Sequence, residues 1–388
     1  MKVLHVVASL SLEWGGPTKV VVELTEKLAE KGIEITIFSP FKKGEKSEVV
    51  QPKGVKLHLF RQGFMDKLWT SYSADFTKAI QKEVNQFDIV HIHEIWHYPH
   101  YIAYREAKKI GKPYIVTIHG ALEPWCLNYK AFKKKIYTLL IQKHILKEAD
   151  AIHAITYEEV KHIKGFGVNN TIVMIPNGIN PEEFANLPSR EELKKIYPKL
   201  IGKKVILFLG RIHPIKGLDL LAKAFSIVAG DRDDVCLLVV GPDNNGYKAK
   251  IEKFLKKKGV LDRVIFTGML EGRKKLIALS GSNISVIPSY SEVRSIVALE
   301  AMSCNLPVII TKQCQFSEIA EADAGIVIKP DSKPLAQALN KLLNDFQLCK
   351  KMGENGKKLV LEKYTWDKIA DKMIKVYEEI LNRKDSKR

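Results

Sequence analysis

Residues 284–310 read ISVIPSYSEVRSIVALEAMSCNLPVII and contain one complete unit of an open parallel sheet. The apolar run Ile284–Ile287 predicts a buried parallel strand. A polar loop follows over 289–292, helix-forming residues begin near Ser295, and Leu306–Ile310 predicts the next strand. This order of strand, loop, helix and strand is typical of an α/β protein.

Two glutamates lie in this unit, Glu292 in the loop and Glu300 inside the helix. Ligands of open parallel sheets bind at the carboxyl ends of the strands, which predicts a ligand beside Glu292. The free backbone amides at Ser295 and Ile296 would point at an anion bound there. Both glutamates could instead be solvated helix-end residues. The apolar neighbours of Glu300 nevertheless predict a partner for its carboxylate, because an unpaired buried charge is costly.

The rest of the chain repeats this alternation of apolar runs and amphipathic segments. In the first half the predicted strands are Val3–Ala8, Ile33–Ser39, Val55–Phe60, Ile89–Ile92, Tyr114–Ile118, Ala151–Ile155 and Ile172–Ile175. In the second half they are Val205–Leu209, Val235–Val240, Val264–Thr267, Ile284–Ile287, Val308–Ile310 and Ile326–Ile328. Each half therefore predicts a Rossmann-like domain of parallel βαβ units. Residues 175–192, rich in Pro, Asn and Glu, predict a linker, and an amphipathic helix is expected over about Trp366–Leu381.

Composition limits the class of protein and its partners. A length of 388 residues favours two domains, and no apolar run approaches a membrane span or a signal peptide. The five cysteines form no CxxC pair, which indicates reduced thiols in a cytoplasmic protein. A net charge of +18 indicates nucleic acid, an anionic membrane surface or phosphorylated ligands as partners.

Three stretches of the first half place polar residues at strand ends. Gly15 and Gly16, after the first strand, allow a backbone to approach a phosphate, or they form a plain tight turn. The histidines of HIHEIWHYPH, residues 91–100, suggest a metal site, but no second ligand cluster follows, so lining of a cleft is the better interpretation. A lone histidine is usually structural, yet the position of His119 at a strand end, before Gly120, favours a role in a site.

In the second half, Arg211 and Lys216 flank a loop that follows a predicted strand. The loop lacks the GxxxxGK[ST] pattern, which excludes a P-loop ATPase. Two cations there would bind a diphosphate, although they could also be solvated surface charges. A cation about 4 Å from a phosphate oxygen contributes roughly 4 kcal/mol at intermediate dielectric. No aspartate pair lies at a strand's carboxyl edge, so no metal site is expected.

These motifs together resemble glycosyltransferase family 4, the retaining enzymes of the GT-B fold. The shared motifs are GGP after the first strand, HG at His119, GR and KG at 210–217, and E-x7-E at Glu292 and Glu300. The resemblance covers nearly the whole chain. It implies two Rossmann-like domains facing a cleft, an acceptor-side domain over 1–178 and a donor domain over 179–365. The last helix, within 366–388, would cross back to the first domain.

By this resemblance, Arg211 and Lys216 hold the nucleotide diphosphate and Glu300 accepts hydrogen bonds from the ribose. Glu292 would contact the donor sugar. The loop at Gly15 and Gly16 would approach phosphates, and His119 would line the reacting centre.

One departure from the family pattern concerns the donor sugar. The family often has glycines directly after the first glutamate, where this chain has Val293, Arg294 and Ser295. These side chains are expected to crowd the sugar. Arg294 would contact an acidic or phosphorylated group, or point away.

The expected activity is transfer of a hexose from a nucleotide-diphosphate sugar to a hydroxyl of a saccharide or lipid-linked acceptor, with retention and without a metal or other cofactor. The rivals are a sugar-nucleotide epimerase and a basic nucleic-acid-binding protein. Residues 129–148 predict an amphipathic basic helix. That helix either packs with a solvated cationic face or docks a cytoplasmic enzyme on the anionic inner face of the membrane.

Overall fold

The computed structural model divides into two compact units, Met1–Gly178 with Trp366–Arg388, and Ile179–Thr365. The residues that the structure describes are 1–11, 16–42, 49–128 and 137–386. Each unit is built on one parallel sheet with helices. The chain therefore consists of two Rossmann-like α/β domains, as the alternation of apolar and amphipathic segments predicts.

The first unit contains a seven-stranded sheet in the order β3-β2-β1-β4-β5-β6-β7. Its strands are β1 (Lys2–Val6), β2 (Glu34–Phe41), β3 (Lys56–Arg61), β4 (Ile89–His93), β5 (Tyr114–Thr117), β6 (Ala151–Ala154) and β7 (Ile172–Met174). Its described α-helices are Gly16–Glu30, Ala74–Glu83, Tyr98–Lys109, Pro124–Asn128, Lys143–Lys147, Tyr157–Gly165 and Trp366–Asp385. The apolar residues of β1, β4, β5 and β6 are buried because helices cover the sheet, whereas the edge strands β3 and β7 are partly exposed.

The second unit contains a six-stranded sheet in the order β10-β9-β8-β11-β12-β13. Its strands are β8 (Lys204–Leu209), β9 (Val235–Val240), β10 (Val264–Gly268), β11 (Ile284–Ile287), β12 (Val308–Thr311) and β13 (Gly325–Ile328). Its α-helices are Arg190–Ile196, Leu218–Asp231, Tyr247–Lys257, Gly272–Gly281, Ile296–Ser303, Glu318–Glu321, Ser332–Asn344 and Phe346–Lys363. All predicted strands of both halves are confirmed, with ends that coincide or differ by at most two residues.

The strand order reverses once in each sheet, between β1 and β4 and between β8 and β11. Such a reversal leaves a crevice at the carboxyl ends of the two central strands, where ligands of doubly wound folds bind. The loop after β8 carries Arg211 and Lys216, and the loop after β11 carries Glu292. Arg211, Lys216 and Glu292, three of the predicted site residues, therefore lie at the reversal point of the second sheet.

The closing helix Trp366–Asp385 packs within the first unit, four residues longer than the predicted Leu381 end. The indole of Trp366 donates a hydrogen bond to Glu23, and a Cβ built on Gly178 would lie 2.7 Å from the Trp366 ring. Because this contact leaves no room for a side chain at position 178, a glycine is required there. In the described residues, no helix combines the length and apolar composition needed to cross a bilayer.

The prediction of a linker over 175–192 is wrong for most of that stretch. It contains the short helix Pro181–Phe184 and the first residues of the helix Arg190–Ile196. Ile179 and Phe184, inside this stretch, and Leu193, directly after it, are buried in the core of the second unit. These apolar residues are widely spaced among polar ones, so the local pattern does not reveal that they are core residues.

Candidate active site

In the second unit, a glycine brings together the two loops at the reversal point of the sheet. Gly217 has φ +69°, and a Cβ at this position would lie 1.9 Å from the carbonyl oxygen of Pro288. The amide of Tyr290 donates a hydrogen bond to the carbonyl of Ile215 at 2.8 Å. Only glycine fits both this backbone conformation and this close approach. The loop after β8 therefore packs directly on the loop after β11.

This packing pairs the predicted phosphate-binding lysine with the predicted sugar-binding glutamate. The ammonium of Lys216 lies 2.8 Å from Oε2 of Glu292, and the Ser289 hydroxyl donates to the same oxygen at 2.8 Å. The amide of Glu292 donates to the carbonyl of Gln313 at 3.1 Å. The pair is partly exposed, with 23% and 16% of the two charged side chains accessible. A bound anion would therefore share Lys216 with Glu292.

Arg211 supplies a second cation beside this pair. Its side chain is exposed, and within the described parts of the chain its guanidinium forms no hydrogen bond or ion pair. The positive potential acts on His213, whose pKa is lowered by desolvation and then by the charges of Arg211 and Lys216. His213 was not singled out from the sequence. The loop thus presents the positive charge that an anionic ligand needs.

Glu300 has the partner that its apolar surroundings predict. Its side chain is 5% exposed, and Oε1 lies 2.9 Å from the ammonium of Lys275, on the helix Gly272–Gly281. Lys275 is a site candidate that sequence reasoning missed, because it lies 25 residues away on a different helix. The carboxylate thus has a cationic partner, and its other lone pairs can accept further hydrogen bonds.

The helix that contains Glu300 begins at Ile296, with Ser295 as its N-cap. The hydroxyl of Ser295 is buried and has no hydrogen-bond partner among the residues that the structure describes. Ser295 and Ile296 thus lie at the start of an eight-residue helix. The backbone amides of that first helical turn can donate hydrogen bonds to an anion.

Arg294 does not crowd this loop, because its side chain turns into the protein. Its guanidinium donates to the hydroxyl of Tyr364 and to Oε1 of Glu318, each at 2.8 Å, and lies 4.6 Å from the centre of the Phe316 ring. The side chain is 5% exposed. The expectation that Arg294 crowds the sugar or contacts a ligand phosphate is therefore wrong, and the alternative that it points away is confirmed.

A cavity of about 920 Å³ lies at the carboxyl end of β10. It is lined by residues that include Thr267, Met269, Leu270 and Tyr197, together with Arg273. Arg273 belongs to the same helix as Lys275. The mixed apolar and polar lining suits a flat heterocyclic ring with polar edges.

In the first unit, His119 lies directly after β5 in a left-handed backbone conformation with φ +50°. The turn is fixed by Glu159, whose two carboxylate oxygens accept hydrogen bonds from the amides of Gly120 and Ile155, each at 2.6 Å. Burial raises the pKa of Glu159 to about 7. Glu159 was missed from the sequence because it lies 39 residues after Gly120, on the helix Tyr157–Gly165.

His119 is one end of a group that we call the histidine network. Its members are His5, His91, His93, Thr117, His119, His153 and Tyr377. His91 and His93 are buried, so the interpretation of these two histidines as lining a cleft is wrong. Residues two apart on a strand share one face, and here that face is the interior.

Nitrogen atoms of His5, His91 and His93 lie within 4.8 Å of one another, a spacing that a metal ion could use. Each ring nitrogen of these three histidines, however, already faces a hydrogen-bonding atom of the network. Hydrogen bonds therefore account for all six nitrogens.

Two more residues at this edge of the first sheet have unusual properties. Glu94 follows β4 with φ +70°, and burial raises its pKa to about 7. Its amide donates to the carbonyl of Thr117 at 2.8 Å, next to His119. Gly16 begins the helix Gly16–Glu30, and no atom lies within 4 Å of the place that a Cβ would take there, whereas Gly15 lies outside the described residues.

Comparison with known proteins gives relatives that span the chain. An uncharacterized glycosyltransferase of Methanocaldococcus jannaschii is 28% identical over 306 residues, which cover 76% of each chain. O-antigen chain mannosyltransferase C of Escherichia coli is 25% identical over 99% of this chain and 100% of its own. D-inositol 3-phosphate glycosyltransferase of Stackebrandtia nassauensis is 24% identical over 95% of this chain and 88% of its own.

Solved structures share the fold at low sequence identity. Sucrose-phosphate synthase from Thermosynechococcus elongatus superposes with a TM-score of 0.82 at 20% identity, covering 99% of this chain and 100% of its own. Anabaena HepE in complex with UDP and glucose gives 0.80 at 16% identity, covering 98% and 100%. These matches show that the chain has the GT-B fold.

Two family models divide the chain between them. The model for Glycosyltransferase Family 4 matches residues 14–183, and the model for Glycosyl transferases group 1 matches residues 189–359. The first match ends and the second begins close to the division between the two units. The paired loops of the second unit, the full-length relatives and these two matches show that the chain belongs to glycosyltransferase family 4, the group 1 glycosyltransferases.

Proposed function

We propose that this glycosyltransferase transfers a hexose from a nucleotide-diphosphate sugar to a hydroxyl group of a saccharide or a lipid-linked acceptor, with retention of configuration. The observation that carries the proposal is the pairing of Lys216 with Glu292, beside the exposed Arg211, at the reversal point of the second sheet. A diphosphate needs the cations, and a sugar attached to it needs an acceptor group for its hydroxyls within a few ångströms. This loop pair supplies both.

In this proposal Arg211 and Lys216 bind the diphosphate. The first-turn amides at Ser295 and Ile296 donate to the donor, and Glu292 accepts from a sugar hydroxyl. The attraction between the cations and the diphosphate grows as the bond to the sugar breaks, because the leaving group gains negative charge. These residues therefore stabilise the transition state more than the bound donor.

Glu300 is proposed to accept hydrogen bonds from the ribose hydroxyls. Its ion pair with Lys275 supports this role, because the lysine is a cationic partner for the buried carboxylate. The cavity at the carboxyl end of β10 is the proposed place of the base. Glu300→Gln should raise KM for the donor about tenfold with a smaller change in kcat, since an amide oxygen is a weaker acceptor.

The chemical step proposed is a front-side displacement. The acceptor oxygen forms a bond to the anomeric carbon on the face that the diphosphate leaves, and the hydroxyl proton passes to a leaving phosphate oxygen. His119 is proposed to contact a hydroxyl at the reacting centre, and the backbone at Gly15 and Gly16 to approach the phosphates. The name of a mannosyltransferase among the relatives supports a hexose donor.

Metal independence is part of the proposal. Arg211 and Lys216 provide the positive charge that a divalent cation supplies in other transferases. Excess EDTA should therefore leave the rate unchanged. An enzyme that regains activity only with magnesium or manganese would contradict this assignment.

The proposed acceptor side includes contact with an anionic membrane through residues 129–148, at its inner face. Residues 129–136, with Lys133, Lys134 and Lys135, lie outside the described residues. In the described part, the helix Lys143–Lys147 buries Ile145 and Leu146. Sedimentation with anionic vesicles should decrease with salt and when the three lysines become Glu. Equal binding to neutral vesicles would contradict it.

The experiment that tests the function is incubation with a panel of nucleotide sugars and measurement of nucleoside diphosphate release, with and without candidate acceptors. Acceptor-dependent release from one or a few donors is the expected result. An epimerase would convert the donor with no acceptor present, and that outcome would overturn the proposal. The anomeric configuration of the product, read by proton NMR, tests retention.

A further inference from the structure

The histidine network ends at a backbone carbonyl, and this end fixes the direction of the hydrogen bonds. Nε2 of His153 lies 2.7 Å from the carbonyl oxygen of Ile175. A carbonyl only accepts, so Nε2 of His153 carries the proton and donates. Nδ1 of the neutral ring must then accept, and the hydroxyl of Thr117 donates to it at 2.8 Å.

The direction continues through His91. Thr117 has used its one proton, so its oxygen accepts from Nε2 of His91 at 2.6 Å. Nδ1 of His91 is therefore unprotonated. It accepts from the hydroxyl of Tyr377, also at 2.6 Å.

Tyr377 carries the direction to the opposite side of the network. Its oxygen lies 3.5 Å from Nε2 of His5. If Nε2 of His5 carries the proton, its N–H points at the Tyr377 oxygen. In the other tautomer, the lone pair of Nε2 would face a lone pair of that oxygen in a buried place, which is unfavourable. Nδ1 of His5 then accepts from Nε2 of His93, at 2.8 Å.

The last link reaches His119. Nδ1 of His93 lies 3.1 Å from Nε2 of His119, so His119 donates through Nε2 and has no proton on Nδ1. The rings are neutral because burial lowers their pKa values, to about 3 for His5 and His119 and about 4 for His153. Nδ1 of His119 forms no hydrogen bond to the described residues, and its side chain is only partly buried.

We infer that the Ile175 carbonyl, acting through the histidine network, fixes His119 in one tautomer, with Nδ1 as an acceptor for a carbohydrate hydroxyl. The identity of the hydroxyl group as part of a carbohydrate rests on the proposed function. The direction of the network rests on the hydrogen bonds and on the neutrality of the buried rings. His93, His5, Tyr377, His91 and Thr117 are thus positioning residues, which act on the substrate only through His119.

The network explains why so many polar groups are buried in one domain core. A free imidazole exchanges its proton between the two nitrogens, and the partner of one nitrogen decides the state of the other. An N–H at Nδ1 of His119 would meet the hydrogen of a donating hydroxyl. The fixed direction removes that state before the substrate binds, so none of the binding free energy is used to select a tautomer.

The test is the nitrogen-15 spectrum of the full chain labelled at histidine, with His119 assigned by loss of its signals in His119→Gln. His119, His93, His5 and His91 should each show the unaveraged Nε2–H pattern from pH 6 to 8. The exposed His144 serves as an internal reference for a ring outside the network. A proton on Nδ1 of His119, or signals averaged between the two tautomers, would overturn the inference.

Tyr377→Phe removes the link between His91 and His5, and Tyr114→Phe is its matched control. Tyr114 is equally buried and donates to the carbonyl of Ile145 at 2.8 Å, outside the network. Tyr377→Phe should shift the His119 signals toward averaging, and Tyr114→Phe should leave them unchanged. Equal signals in both variants would overturn the inference, even if both lower the melting temperature.

Thr117→Val and Thr117→Ser give a second pair if Tyr377→Phe does not fold. Serine keeps the hydroxyl and should restore the fixed tautomer, whereas valine should not. If the two tautomers become equally populated, KM for the substrate whose hydroxyl contacts His119 should rise about twofold with kcat unchanged, because half of the free enzyme is then in the wrong tautomer. A fixed tautomer in a protein without transferase activity would refute the proposed function and leave the network direction intact. Transferase activity in an enzyme whose His119 exchanges freely between tautomers would refute the network direction and leave the proposed function intact.

Discussion

The ion pair between Lys216 and Glu292 makes opposite predictions for its two members. Lys216→Met removes one of two cations from the proposed diphosphate site. A full unit charge at about 4 Å is worth roughly 4 kcal/mol at an effective dielectric constant of about 20. Glu292 already shares this lysine at 2.8 Å, and 23% of the lysine side chain is exposed, so about half of that value is expected. Binding of a nucleoside diphosphate should therefore weaken by about 2 kcal/mol, or roughly 30-fold.

Glu292→Gln removes the charged group that competes with a bound anion for Lys216. Its effect on the affinity for nucleoside diphosphate should therefore be opposite to that of Lys216→Met. Nucleoside diphosphate, which has no sugar, should bind as tightly as to the wild type or more tightly. Turnover of the full donor should fall at least tenfold, because a sugar hydroxyl loses its charged acceptor. This divergence separates a shared lysine from a general loss of structure.

Isothermal titration calorimetry with the nucleoside diphosphate measures the first quantity, and steady-state release of the diphosphate measures the second. The control is Lys223→Met, which breaks a more exposed ion pair with Asp219 in the same unit. It should change affinity by less than about twofold, since surface pairs contribute little. Wild-type affinity in Lys216→Met, or weakened diphosphate binding in Glu292→Gln, would refute the assignment of this loop.

Three further predictions concern the folded state. Gly217→Ala should lower the melting temperature and abolish donor binding, because its Cβ would lie 1.9 Å from a carbonyl oxygen. Gly202→Ala is the control: φ is +73° there and a Cβ meets open space, so only the cost of a left-handed alanine, about 1 kcal/mol, is expected. Arg294→Gly should destabilise the chain by about 1 kcal/mol less than Arg294→Ala in urea unfolding, although glycine is usually the more destabilising of the two. The reason is the left-handed φ of +48° at this position, which glycine adopts without strain. Equal losses of stability in the two variants would contradict backbone strain at this position. Burial lowers the pKa of His5 to about 3 from 6.5, so the unfolded chain takes up the proton first as the pH falls. The free energy of unfolding should then decrease below pH 6.5, by up to about 1.4 kcal/mol per pH unit for each such histidine. Glu159 partly offsets this decrease, because its raised pKa makes the folded chain take up a proton first. A flat profile between about pH 7 and 5 in urea unfolding would contradict this prediction.

The sheets could be predicted from sequence because their strands are buried on both faces. A run such as Val235–Val240 is continuously apolar, and its bounds coincide with the observed strand. The repeated βαβ pattern does not by itself give the order of the strands. The reversal of strand order in each sheet could be predicted only after a particular fold was assumed. Phe184 and Leu193, by contrast, are single apolar residues in polar surroundings, so their burial depends on tertiary contacts that no local pattern contains.

The candidate site could be predicted residue by residue but not as a set of contacts. Lys216, Glu292 and Glu300 were all visible as charged groups near strand ends or among apolar neighbours. Their pairings were not visible, because the contacts span 76 residues for Lys216 with Glu292 and 25 for Lys275 with Glu300. Tyr377 is a stronger case, since it lies 286 residues from His91 and belongs to a helix whose sequence is simply amphipathic.

Arg294 shows how this chain keeps a backbone conformation that glycine would otherwise provide. Its φ of +48° is left-handed, which costs a non-glycine residue on the order of 1 kcal/mol or more. The hydrogen bonds to Tyr364 and Glu318 and the stacking on Phe316 offset that cost. Glycine at this position would form none of these contacts and would leave the loop free to move. The arginine therefore fixes the segment between Glu292 and the following helix from its buried side. If this loop contacts the donor sugar as proposed, residues other than Arg294 determine which sugar it accepts.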